Sequence, residues 1–166
     1  MSEREWPPSD QKHDRRVVRE APSADQVYGA KRERPFSVLG MDLAGPAETV
    51  AAIREGLPVS ALDRLQEGLG VPAPVMSRAV NIKERTLARR TGEARLKSDE
   101  SERVLRIGML LDRSVEVLGG LAQARGWLQA PNTALGGATP LDFADTEPGA
   151  REVEAVLGRI EYGIFS

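Results

Sequence analysis

The sequence predicts an all-α fold: an N-terminal helix-turn-helix domain followed by a small helical C-terminal domain. Three observations carry that expectation. Apolar residues recur at helical spacing, no stretch alternates with period two, and helix-start and helix-stop residues punctuate the chain. With 166 residues and 40% hydrophobic content, the chain is long enough for one ordinary domain, or two small ones with a tail, around a packed core.

Residues 1–40 mix charges with Pro, Ser and Gly and read as a mostly disordered arm, with Trp6, Tyr28 and Phe36 as apolar exceptions. Residues 41–97 read as a DNA-binding domain. "GPAETVAAIREG" puts Pro46 near a first turn, where its missing N–H costs little, and Gly56 at the end. "VSALDRLQEGLG" follows, with Ser60 as N-cap, Leu62, Leu65 and Leu69 on one face and Gly70 as a left-handed stop. "VPAPVMSRAVNIKERTLARR" supplies a short helix, a tight turn at 80–82 and a second helix from about Lys83. No aromatic stands between Phe36 and Trp127, so this core is aliphatic.

Residues 98–166 read as the second domain. Ser98 or Asp99 caps its long first helix, and Glu100 and Glu102 suit the positive end of the helix dipole. Leu105, Ile107, Leu111, Val115 and Leu118 give an apolar face, and Gly119-Gly120 ends it. After a helix over 121–129 comes a corner, "GWLQAPNTALGGATPLDF", in which Trp127 and Leu128 anchor the incoming helix and Asn132 bonds its own backbone. Thr139-Pro140 starts a short helix, and Thr146 caps a last one over 147–162 with Val153, Val156, Leu157 and Ile160 at helical spacing.

Catalysis has little to draw on. The chain has no cysteine, which excludes disulfides and thiolate metal sites and fits a reducing compartment. Its single histidine, His13, lies in the arm, and a serine nucleophile most often needs a histidine base. Carboxylates such as Glu152 and Glu154 fall on polar helix faces, a poor start for a metal site. "GGLAQARG" and "LGGATP" lack the Lys-Ser/Thr and the preceding strand of a phosphate-binding loop. The expectation is a binding protein, with no enzyme activity and no cofactor. The N-terminus lacks the apolar core of a secretory signal, and no apolar run approaches the roughly 20 residues of a membrane span, so the expected location is the cytoplasm.

The net charge of −2 conceals an asymmetry. Residues 83–97 carry six basic and two acidic side chains, whereas residues 98–166 carry six and eleven. A short basic segment inside an acidic protein has the pattern of a nucleic-acid footprint. In a helix-turn-helix, Met76, Ala79, Ile82 and Leu87 would hold the two helices together. Lys83, Glu84, Arg85 and Thr86 then stand at the N-terminal end of the second helix, where base edges are read. Arg89 and Arg90 follow a turn later, suited to phosphate or guanine. The alternative is a solvated charged helix; the apolar spacing around the turn favours DNA.

Both halves resemble one family, the Xre/MbcA/ParS-type antitoxins that neutralise RES-domain toxins. "IREGLPVSALDRLQEGLG" followed by "VNIKERTLARR" looks like its Xre-like helix-turn-helix. "GWLQAPNTALGGATPLDFADTEPGAREVEAVLGRIEYGIFS" is similar to its toxin-binding domain, through Trp127, Pro131, Asn132, Leu135, Gly137, Pro140, Leu141, Gly149, Val153, Leu157, Ile160 and Gly163. The resemblance covers about residues 45–166. It implies a homodimer that binds a RES-domain toxin and promoter DNA and represses its own operon, with any NAD chemistry belonging to the toxin. Three positions depart from the pattern: Pro72 where a cap is usual, Asn81 for a common turn Gly, and Lys83 for a Ser cap. Asn tolerates left-handed geometry, so the turn survives.

Toxin contact is expected from "GRIEYGIFS". Arg159, Glu161 and Tyr162 end the last helix, and Gly163 releases Ile164, Phe165 and Ser166. Two large apolar residues in such a place call for a cover. Either they fold back onto their own core, or they enter or cover the toxin's active-site cleft, where the terminal carboxylate meets cations that otherwise hold NAD phosphates. A stand-alone helix-turn-helix regulator, with the C-terminal domain used for dimerisation, is the second function class.

Overall fold

Aliphatic residues at helical spacing give eight α-helices, one 3-10 turn and no strand among the residues that the computed structural model describes, 37–90 and 92–163. The N-terminal half holds α1 (Pro46–Glu55), α2 (Val59–Leu69), α3 (Ala73–Ala79) and α4 (Glu84–Arg90). The long α5 (Ser98–Leu118) follows. Then come α6 (Leu121–Gln129), the 3-10 turn Thr133–Leu135, α7 (Pro140–Phe143) and α8 (Glu147–Glu161).

Helix α5 is the axis of the molecule. Val104, Leu105, Ile107, Leu110, Leu111 and Ser114 are all buried, a band too wide for one neighbour. It packs against α8 and α6 from the C-terminal half and against α2 and α1 from the N-terminal half. One aliphatic core therefore runs through both halves, with Leu65, Leu69, Met76 and Val80 on one side and Leu128, Leu141, Val153 and Leu157 on the other. Each such Leu or Met contributes about 2 kcal/mol by leaving water.

Polar contacts tie the halves further. Arg125 of α6 donates to the carbonyls of Gly68 and Glu67, both at 2.7 Å, and Gln129 donates to that of Leu69 at 3.1 Å. These are last-turn carbonyls of α2; of them Glu67 O also accepts Gly70 N–H at 3.1 Å, and the side chains from α6 satisfy the rest of that helix end. Downstream of α4, Leu96 N–H bonds Leu57 O at 2.8 Å and Pro58 forms an isolated bridge with Arg95. Gly56 is required there: its φ is +86°, and a Cβ would stand 2.1 Å from the Leu96 carbonyl oxygen.

The sequence signals held at most helix ends. Gly70 and Gly119 adopt the left-handed conformation, and the Thr139 and Thr146 hydroxyls accept from Asp142 N–H and Gly149 N–H. Two caps differ. Helix α2 begins a residue before Ser60, because Val59 N–H is engaged by Ala94 O at 3.3 Å, with Pro58 as N-cap. Helix α5 is capped neither by Ser98 nor by Asp99: Lys97 stands at the N-cap, and its N–H donates to the Glu100 carboxylate at 2.9 Å.

Residues 37–40, expected as the end of the arm, belong to the folded body. Val38 and Leu39 are buried, against Gly68 and Gly108 respectively, and Ser37 donates to Asp112 at 2.8 Å. Residues 1–36, with Trp6, His13, Tyr28 and Phe36, lie outside the described residues.

Candidate functional site

The basic segment folds as a helix, a tight turn and a helix. Met76, Ala79 and Ile82 are buried and Leu87 is half-buried, so the apolar residues around the turn do pack together. Asn81 sits at φ +48°, the left-handed region that a short polar side chain tolerates. Ser77 Oγ donates to Ile82 O at 2.7 Å and closes the turn.

Lys83, Glu84, Arg85 and Arg89 are exposed, and Thr86 is half-buried. Arg85 and Arg89 lie one turn apart on the open side of α4, with Arg89 met only loosely by Glu93 at 3.6 Å. Arg90 departs from the expectation that it faces DNA: it is buried, 3% exposed. Its guanidinium grips both oxygens of Glu100, at 2.9 and 2.8 Å, and also meets Glu93. The reason is helical phase. Arg90 lies three residues past Leu87, on the inward side of α4, while Arg85 and Arg89 share an outward stripe. The hydrogen bond to Glu100, opposed by desolvation and aided by Glu93, raises the Arg90 pKa above its ordinary value. Burial pushes the Glu100 carboxyl up, but the hydrogen bonds from Arg90 and Lys97 N–H and the charge of Arg90 outweigh it and hold the group below its usual range. Sequence reasoning missed Glu100 as a partner. Its signal was present, since Glu100 continues the buried stripe of Val104, Ile107 and Leu111.

The corner between α6 and α8 is closed on itself. Asn132 Oδ1 accepts Ala134 N–H at 2.9 Å, Asn132 N–H bonds Ala138 O at 3.0 Å, and Gly137 N–H bonds Asn132 O at 2.9 Å. Gly136 and Gly137 supply φ of +67° and +86°, so the pair is turn chemistry. With these N–H groups engaged, the corner does not form a phosphate cradle. Leu128 is buried and Trp127 is partly buried against the core. Asp142 of α7 receives Arg78 of α3 at 3.3 Å, a direct contact between the corner and the helix-turn-helix.

At the end of α8 the charges are paired within the molecule. Arg159 meets Glu152 at 3.2 Å and Glu161 meets Arg113 of α5 at 2.5 Å. Hydrogen bonding to Glu116, against desolvation and with help from Glu161, raises the Arg113 pKa. Tyr162 is 75% exposed, the most exposed large apolar side chain among the described residues. Gly163 turns the backbone with φ +65°. Ile164, Phe165 and Ser166 lie outside the described residues. Among the described residues, no group of three or more His, Asp or Glu stands together as a metal site, and no helix is long and apolar enough to cross a membrane.

This architecture is shared with known proteins. Residues 48–108 match the antitoxin Xre-like helix-turn-helix domain, and residues 114–163 match the antitoxin Xre/MbcA/ParS C-terminal toxin-binding domain. Residues 109–113 of α5 lie between the two matches. An antitoxin Xre of Yersinia enterocolitica is 33% identical over 130 residues, which span 77% of this chain and 88% of that protein. The Prs ADP-ribosylating antitoxin of a Sphingobium species is 30% identical over 142 residues, spanning 80% and 89%. A chain in the crystal structure of the M. tuberculosis MbcT-MbcA toxin-antitoxin complex superposes with a TM-score of 0.50 at 25% identity, covering 65% of this chain and 96% of that one.

Proposed function

The chain belongs to the Xre/MbcA/ParS antitoxin family, and on that premise we propose that it neutralises a RES-domain toxin, an NAD-degrading enzyme, and binds the promoter DNA of its own operon. The C-terminal region, from the end of α8 through Ser166, covers the toxin's active site, and α4 carries the DNA contacts. The protein does this as a homodimer and leaves the NAD chemistry to its partner. The observation that carries the toxin half is the end of α8. Arg159 and Glu161 are already paired, while Tyr162 is 75% exposed among the described residues. A paired-charge rim around an exposed aromatic is the composition of a protein contact. The name of the Sphingobium relative supports the partner's chemistry, because ADP-ribosyl transfer draws its donor from NAD.

The DNA half rests on the exposed Lys83, Arg85 and Arg89 at the turn and along α4, where a helix-turn-helix meets the major groove. Co-expression with the product of the neighbouring gene tests the whole reading. That product alone should arrest growth and deplete cellular NAD, and this protein should restore both and co-purify with it. A harmless neighbour that does not co-purify sinks the antitoxin role and leaves the stand-alone regulator.

A further inference from the structure

The DNA-facing surface of α4 makes no use of Arg90, yet Arg90 has the most elaborate polar environment in that half of the molecule. Nε meets Glu100 Oε2 at 2.9 Å and Nη2 meets Oε1 at 2.8 Å, with side chains only 4% and 6% exposed. Glu100 Oε2 also accepts Lys97 N–H, which fixes the carboxylate to the first turn of α5. The pair therefore joins the last turn of α4 to the first turn of the helix on which both halves of the molecule pack. Buried ion pairs of this kind add little net stability over apolar groups of similar size, because desolvation offsets their attraction. A planar two-point contact does fix orientation.

We propose that Arg90 is a positioning residue for DNA recognition: anchored to Glu100, it sets the angle at which Lys83, Arg85 and Arg89 meet the duplex, and it touches no DNA itself. The inference rests on the reading of α4 as the DNA-binding helix. A contacting cation and a positioning cation leave different signatures in salt. Removing a phosphate contact makes the slope of log K against log salt shallower by about 0.9. Removing a positioning residue lowers affinity for the correct sequence while most phosphate neutralisation remains.

The test uses the full chain and a duplex carrying the DNA immediately upstream of its own coding sequence, with a scrambled duplex as control, across a salt series. Arg89→Ala should make the slope shallower. Arg90→Met should leave the slope unchanged and lower affinity for the upstream duplex about tenfold, the scale of one lost base contact, with little change on the scrambled one. Arg90→Lys should not rescue, since an ammonium cannot reproduce the two-point contact. Because Arg90→Met leaves Glu100 unpaired, the double variant Arg90→Met/Glu100→Leu restores an apolar match and separates orientation from folding. A folded double variant that still discriminates like the wild type overturns the proposal, and so does a shallower slope for Arg90→Met. A wild-type protein that prefers neither duplex overturns the DNA reading itself, and this proposal with it.

Discussion

Helix α4 and the last turn of α8 both end in charged residues, and they use them differently. On α4, Arg85 and Arg89 face solvent with Lys83 just ahead of them, and among the described residues only Arg89 of the three forms an ion pair, with Glu93 at 3.6 Å. On α8, Arg159 and Glu161 are each paired with a charge from the same fold, and the ring of Tyr162 is the most exposed large apolar group among the described residues. Open cations attract a polyanion from a distance and lose strength with salt, whereas a neutralised rim around an aromatic acts only on contact. One core supports both surfaces, and that joint dependence is where the comparison is easiest to break.

The largest expected effect comes from Leu111, fully buried on α5. Leu111→Ala should cost about 2–5 kcal/mol in urea unfolding, through lost burial and a cavity. With one core, DNA binding and toxin protection should decline together; two separate unfolding transitions would show instead that the halves are independent units. Next is the turn. Asn81→Val places a β-branched side chain at φ +48° and should cost about 1–2 kcal/mol, whereas Asn81→Gly should fold like the wild type. Only DNA binding should suffer, and an equal loss of protection would mean that α3 and α4 communicate with α8.

Glu100 gives a pH test. Its carboxyl is held below the ordinary 4.5, so the stability it contributes is complete above the unfolded-state value and is lost as pH falls through the folded-state one. Thermal melts of Glu100→Gln should accordingly show a flatter acid limb below about pH 4.5 than the wild type, with lower stability at pH 7. Parallel acid limbs would show that the carboxylate is not favoured by folding. The smallest effect belongs to Arg159. Its pair with Glu152 is surface-exposed, so Arg159→Ala should shift stability by less than about 1 kcal/mol. A larger loss would mark that pair as part of the scaffold and not of the contact rim.

Much of this was legible in the sequence, because helix signals are local. Gly70, Gly119, Thr139 and Thr146 act within a few residues of where they stand, and the apolar spacing around Asn81 reported the turn. What was not legible depends on distant partners. Ser37 and Val38 meet Asp112, 75 and 74 positions away, so "SVL" read as the end of an arm. Arg90 looked like one more cation in a basic run, because composition counts charges and ignores phase. Glu100 looked like a first-turn acid serving the helix dipole, and it is that acid's place on the buried stripe that makes it the partner of Arg90.

Protection by the C-terminal region is the central claim, and a truncation tests it most directly. Co-expressed with the toxin, a chain lacking residues 163–166 should fail to restore growth while keeping wild-type helicity, melting temperature and binding to its upstream DNA. If the truncated chain protects cells as well as the full one, the toxin is held by another surface and the end of α8 is not its cover.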